Sequence, residues 1–194
     1  MKKICLSLGL CAMMTVAMAQ NTGSTTRSMF YFGGGPTFSK FTGDGTDDAS
    51  LLVGAQVALG MVWRLGNNFS LSPELNASMQ GTKGDVPVDY TYRLWYLNLP
   101  VQVRYDFGQS GVYAETGPQI GLLLDAKRVI NDAKTDVSKA YRNINVGWNV
   151  GLGYKITPNL AVNARVTPGL TDIAETSTSD VRQFTSALRL LFGF

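Results

Sequence analysis

No histidine occurs anywhere in the 194 residues, which excludes every mechanism that needs an imidazole base, proton shuttle or metal ligand. Cysteine is nearly as scarce, since Cys5 and Cys11 both fall in the first nineteen residues. Charged residues make up only 16% of the chain, less than a sheet facing water normally carries. Long hydrophobic runs are missing too. The one largely apolar stretch, residues 4–18, is shorter than the ~20 residues of a spanning helix, and no second run follows it.

That stretch follows Met1-Lys2-Lys3 and ends in Ala17-Met18-Ala19 before Gln20, the three parts of a cleaved secretory signal peptide. Residues 1–19 are therefore expected to be removed, leaving 20–29 as a short periplasmic N-terminal segment and 30–194 as one domain. Bulky Leu10 before Cys11 argues against lipid attachment there. The mature chain then has no disulfide and no thiolate. Without Lys2 and Lys3 it holds 15 basic and 14 acidic residues, a net charge of +1, and nothing points to nucleic acid.

What the sequence does have is strict alternation. Over residues 95–107 the odd positions read Trp95, Leu97, Leu99, Val101, Val103, Tyr105, Phe107, while the even ones include Asn98, Gln102, Arg104 and Asp106. A period of two with one dry and one polar face is a β-strand. The same rhythm returns over 112–125 and 144–156, and more weakly over 30–39, 53–65, 69–81, 160–172 and 184–194. Short turns at 66–68, 108–111 and 157–159 alternate with longer polar loops at 41–50, 82–91, 126–142 and 173–182.

About eight strands with alternating short and long connections describe an all-β fold: an eight-stranded antiparallel up-and-down transmembrane β-barrel with both termini on the periplasmic side. The outer membrane of a Gram-negative bacterium is the expected location.

Three features turn the dry face outward. Its opposite is mostly Asn, Gln, Ser, Thr and Gly; glycines keep the polar parity, as a crowded narrow lumen requires; and aromatics keep the dry parity near strand ends. Phe32, Trp63, Phe69, Tyr105, Phe107 and Tyr154 fall beside the short turns and Trp95 and Phe184 towards the loops, as two headgroup-level girdles would. Pro36, Pro73, Pro100, Pro118 and Pro168 oppose this reading, because each removes a ladder hydrogen bond inside a predicted strand; bulges are expected to absorb them.

From Phe30 onward the chain resembles the Bacteroidota outer-membrane β-barrel domain family that includes PorT-like proteins. The resemblance rests on Tyr96-Leu97-Asn98-Leu99-Pro100 with Val101-Gln102-Val103-Arg104-Tyr105, on Tyr113-Ala114-Glu115-Thr116-Gly117-Pro118, on residues 147–154, on Gly169-Leu170-Thr171-Asp172-Ile173 and on the closing Leu190-Leu191-Phe192-Gly193-Phe194. It implies a barrel without a set of catalytic residues, and it gives Phe194 the part of an assembly signal read by the barrel-assembly machinery. PorT itself is tied to protein secretion.

Among site candidates, Glu74, Arg104, Glu115, Arg165 and Arg189 share the inward parity, with Arg64, Asp106 and Lys155 nearer the turns. Buried charges must be paired, so a salt-bridged lumen is expected, and removing Arg104 should leave a carboxylate unmatched. The 126–142 loop carries Lys127, Arg128, Lys134, Lys139 and Arg142 against Asp125, Asp132 and Asp136, suited to an anionic surface such as lipopolysaccharide. Asp44, Asp47 and Asp48 lack the spacing of a calcium loop, and Gly33-Gly34-Gly35-Pro36 lacks the lysine and helix of a phosphate loop.

The expected function is a non-enzymatic outer-membrane barrel with a filled lumen, without cofactor or metal, contacting outer-membrane lipid through its wall and other ligands through its loops. A narrow transporter or channel for small solutes is the alternative, and an accessory barrel of a secretion system, as in PorT-like proteins, is the next. An enzyme is not expected, because serine or aspartate nucleophiles would lack a base. A soluble periplasmic barrel would extract without detergent.

Overall fold

Alternation along each strand becomes an inside and an outside once the strands are joined. The computed structural model describes residues 28–43, 46, 49–84, 90–130, 133–173 and 181–193. Its strands are β1 (Met29–Gly43), β2 (Ser50–Gly66), β3 (Phe69–Gly84), β4 (Tyr90–Asp106), β5 (Val112–Ile130), the short β6 (Ala133–Asp136), β7 (Ile144–Thr157), β8 (Leu160–Pro168) and β9 (Val181–Gly193). Each long strand pairs antiparallel with the next, β5 pairs with β7, and β9 returns to β1. The result is a closed eight-stranded barrel, which leaves no free edge among those strands.

Burial follows the period of two. Along β3, Ser70, Ser72, Glu74, Asn76, Ser78 and Gln80 are all buried, and the residues between them face out. The outer face is apolar: Val57, Leu59, Leu99, Ile120, Leu152 and Leu188 are each more than half exposed. Such a continuous apolar surface is far larger than a soluble monomer tolerates. Polar atoms on that face are satisfied locally, as where the Trp148 indole N–H donates to Thr116 Oγ1 at 2.9 Å and that hydroxyl donates to the Asn149 carbonyl.

The prolines are accommodated differently from the expectation. The register shifts between paired strands fall between Leu51 and Gln56, Arg64 and Gly66, Trp95 and Tyr96, and Lys155 and Thr157, at none of the prolines. Instead each interior proline keeps its partner on one side and interrupts the other ladder without changing register. Pro36 pairs with Ala55, while the β1–β9 ladder steps from Gly34↔Leu190 to Thr37↔Ala187. Pro118 likewise pairs with Trp148, while β4–β5 steps from Pro100↔Gln119 to Val103↔Thr116. Pro168 ends β8, which is why that strand stops short of the expected residue 172.

Two further differences lie at the loop end. β4 begins at Tyr90 and β5 runs on to Ile130, so parts of the expected loops are strand. The shift beside Trp95 inverts the parity of β5 beyond it: Ala126 is buried, and Asp125 reaches Lys127 at 2.8 Å on the outer side rather than entering the lumen. The 5- and 7-residue stretches 85–89 and 174–180, the residues 131–132, and Asp44, Asp47 and Asp48 lie outside the described residues, as do residues 1–27 and Phe194.

Inward tyrosines use glycines as seats. Tyr31 lies directly opposite Gly60 and Tyr113 directly opposite Gly153, and in both pairs a Cβ on the glycine would enter the tyrosine ring. The missing side chain lets the ring lie flat across the neighbouring strand, which is how a narrow lumen holds large side chains. Tight connections use the other property of such residues: Gly108 has φ 60° and Asn67 φ 36°, both left-handed turn positions.

Replacing Gly153 by Val should therefore displace Tyr113 and cost about 1–3 kcal/mol of stability, the usual penalty for overpacking. Ala55→Val on the outer face should change it by no more than about 0.5 kcal/mol. Guanidinium unfolding from lipid vesicles, followed by tryptophan fluorescence, gives both numbers; equal effects would contradict the ring-on-glycine account.

Candidate functional site

The five charged residues assigned to the inward face come from five strands, and the barrel brings them together. Glu74 stands on β3, Arg104 on β4, Glu115 on β5, Arg165 on β8 and Arg189 on β9. All are buried. Arg165 and Arg189 each bridge both carboxylates. Arg165 Nη1 reaches Glu74 at 3.0 Å and Nη2 reaches Glu115 at 2.9 Å. Arg189 Nη1 reaches Glu74 at 2.8 Å and Nη2 reaches Glu115 at 3.3 Å.

Neutral groups complete the coordination. Tyr31 on β1 donates to Glu74 Oε2 at 2.7 Å; Gln102 accepts from Arg165 at 2.9 Å; Asn163 accepts from Arg189 at 2.6 Å and donates to Glu115 at 3.1 Å. The cluster thus ties six of the eight long strands across the lumen. Ionised groups removed from water are tolerable only when their hydrogen-bonding capacity is met in this way.

Arg104 is held differently. It makes a single hydrogen bond to Glu115 at 3.3 Å, its Nε has no hydrogen-bond partner, and its guanidinium carbon lies 4.1 Å from the centroid of the Tyr113 ring. Three guanidiniums face two carboxylates, and the third positive charge rests on an aromatic face, an attraction that strengthens when the pair is desolvated. The expectation that removing Arg104 strands a carboxylate is corrected here, because Glu115 keeps Arg165 and Arg189.

The other sequence candidates separate into groups. Lys155 pairs with Asp106 at 2.5 Å at the turn end, beside Arg64. Phe32, Trp63, Phe69, Trp95, Tyr105, Phe107, Tyr154 and Phe184 all take the outer face, where Phe32 stacks on Phe192 at 5.2 Å and Phe69 meets Tyr105 at 4.9 Å. The triple glycine lies inside β1. Among the described residues no group of three or more acidic, histidine or cysteine side chains is placed to hold a metal ion. Tyr31, Gln102, Tyr113 and Asn163 were not singled out from sequence, although a signal existed: three of them sit two positions from a lumen charge and so share its face.

Above the charges the lumen is filled by amides and hydroxyls. Asn76 donates to Gln56 at 2.6 Å, Asn98 to Ser78 at 2.9 Å and Thr185 to Gln80 at 3.3 Å. At the loop end this gives way to an apolar cluster of Phe41, Leu94, Tyr96, Ala126 and Ile173, over which Tyr92, Val137 and Tyr141 pack. Burial there pushes the Tyr141 phenol up from its ordinary value. At the turn end the described residues leave a cavity of about 450 Å³ whose walls include Tyr31, Arg64, Arg104, Asp106, Tyr113 and Lys155.

A closed antiparallel cylinder with an apolar exterior and an ion-paired interior is a membrane-spanning β-barrel. The chain belongs to the outer membrane protein beta-barrel domain family, whose model matches residues 18–175, and the protein resides in the outer membrane. Solved structures agree on the fold. Neisserial surface protein A superposes with a TM-score of 0.56 at 17% identity over 85% of this chain and 97% of that one. Ail of Yersinia pestis gives 0.53 at 16% identity over 87% and 99%. OprG from Pseudomonas aeruginosa gives 0.50 at 12% identity over 87% and 97%. No curated protein sequence matches the chain.

The arrangement ranks its own substitutions. Glu115→Gln leaves three guanidiniums around one carboxylate and should cost about 3–5 kcal/mol. Arg104→Met leaves two of each sign and gives up one weak hydrogen bond and a ring contact, about 1–2 kcal/mol. Unfolding from vesicles measures both, and the reverse order would show that the charges do not act as this network.

Proposed function

We propose that the protein is a non-enzymatic surface barrel whose lumen is shut and whose loop-end strand extensions make its specific contacts. The observation that carries this reading is the double occlusion of the lumen, by the ion-paired cluster on the turn side and by the Phe41–Leu94–Tyr96–Ile173 cluster at the loop end. A transporter would need both to part. In this reading residues 1–19 are cleaved, the turns and both termini face the periplasm, the outward aromatics sit at the headgroup levels, and Phe194 guides delivery by the barrel-assembly machinery. A PorT-like part in secretion keeps only its sequence motifs as support.

The loop-end extensions supply a chemistry for the contacts. Arg93 on β4 lies directly opposite Lys127 on β5, and Lys134 on β6 opposite Val129, which puts three exposed cations on the outer face, while Arg128, opposite Tyr92, is exposed on the other face. Lys127 is matched by Asp125, whereas Arg93 makes no ion pair among the described residues. Like charges directly opposite on neighbouring strands are destabilising, so an anionic ligand across this patch would relieve them. Ail of Yersinia pestis has been crystallised with the heparin analogue sucrose octasulfate, which supports a polyanionic saccharide, lipopolysaccharide included, as the ligand class here.

Planar-bilayer recording of the purified protein tests the shut lumen: a silent membrane is expected, and steady single-channel steps would overturn the proposal in favour of the transporter. Sucrose octasulfate titrated onto the protein in zwitterionic nanodiscs tests the patch. Binding should be saturable, fall as salt rises, and drop at least about tenfold in the Arg93→Glu, Lys134→Glu double variant. Unchanged affinity in that variant would remove the patch from the reading.

A further inference from the structure

The cavity at the turn end is not explained by a surface role. It lies on the opposite side of the charge cluster from the apolar plug, and its mouth is formed by Thr157, Pro158, Asn159 and the ends of β1 and β9. At about 450 Å³ it falls in the range of small-molecule sites. Its lining has two characters. Met29, Val62, Leu160, Ala161 and Leu191 make an apolar wall, while Arg64, Arg104 and Lys155 with the single carboxylate Asp106 make a polar one.

The polar wall has positive charge to spare. Asp106 is engaged by Lys155. Arg64 makes no ion pair among the described residues, and it borders both this cavity and an adjoining one of about 130 Å³ shared with Asp106 and Lys155. At the inner end stands Arg104, buried, belonging to a cluster with three guanidiniums and two carboxylates, and with its Nε lacking a hydrogen-bond partner. A buried guanidinium with unused donor capacity is costly unless an acceptor reaches it. One guanidinium at the rim, one at the floor and an apolar wall between them favour a ligand with one anionic head and a short apolar body.

We infer that the turn-end cavity is a binding site for a small water-borne organic anion, a carboxylate or phosphate monoester with an apolar tail. The closed wall bars entry from the bilayer, so the ligand enters along the barrel axis. The site goes beyond the surface reading and does not depend on the loops.

Hexanoate is the direct probe, with hexylamine and inorganic phosphate as comparisons, titrated calorimetrically into the protein in phosphatidylcholine nanodiscs after subtraction of empty discs. Hexanoate should bind saturably at one site, phosphate more weakly for want of an apolar body, and hexylammonium not at all. Arg64→Gln, a change at an exposed position, should weaken hexanoate about tenfold, and Ala161→Phe, which fills the apolar wall, should abolish its binding in protein that unfolds normally. Absence of saturable hexanoate binding, equal binding of hexylammonium, tighter binding of phosphate, or indifference to both variants would overturn the inference. Competition by added phosphatidylglycerol would overturn it as well, by assigning the site to a lipid headgroup. A conducting barrel that still binds hexanoate would sink the shut-lumen reading and leave this one standing; a silent barrel that ignores hexanoate would do the reverse.

Discussion

Two carboxylates and three guanidiniums in the turn-side part of the lumen determine how much else in this barrel can vary. Backbone hydrogen bonds close the cylinder, but they are indifferent to side chains and would hold equally well around a different interior. The ion pairs are not indifferent. Glu74 and Glu115 approach from β3 and β5, Arg165 and Arg189 from β8 and β9, and each arginine contacts both acids. A slip of one residue in any of these strands would turn its charge towards lipid, where an ionised side chain is costly. The network therefore acts on register at least as much as on stability.

The same constraint explains the seating of the tyrosines. Tyr31 supplies a hydrogen bond to Glu74, and Tyr113 supplies a ring to Arg104. Both can lie that low in the lumen only because Gly60 and Gly153 stand opposite. Gln102, Tyr113 and Asn163 each sit two residues from a network charge, so a strand that delivers the charge delivers its partner on the same face. A few i, i+2 pairs thus build a three-dimensional cluster out of strictly local chemistry.

That locality sets what could be read from the chain. Strand number, the inward parity of all five charges and the outward parity of the aromatics follow from a period of two, which each strand carries by itself. Partner choice does not, because Arg104 sits opposite Glu115 on the adjacent strand while Arg165 reaches across the lumen to Glu74, and only closure decides between such options. The inversion of β5 beside Trp95 was equally invisible: a single extra residue reverses inside and outside for Asp125 and Ala126 without altering composition. The prolines misled for a related reason. A strand in a barrel has two neighbours, and a proline that interrupts one ladder still leaves the other intact, as at Pro36 and Pro118.

Identities of 12–17% to Neisserial surface protein A, Ail and OprG, over nearly the full length of each, show how little of the fold depends on particular residues. Outward positions between the aromatic girdles need only an apolar side chain to face lipid, so the wall carries little that is particular to one barrel. What distinguishes one such barrel from another must lie where alternation does not dictate the residue: in the lumen, at the loop-end extensions and at the mouth between the turns. In this chain those three places are chemically unlike one another. The lumen is ion-paired and packed, the loop end is cationic outside and apolar within, and at the turn end the described residues leave a cavity with a guanidinium at its floor. A barrel packed towards its loop end and hollow among its described residues towards its turns is polarised along its axis, so chemistry at one end is set independently of chemistry at the other.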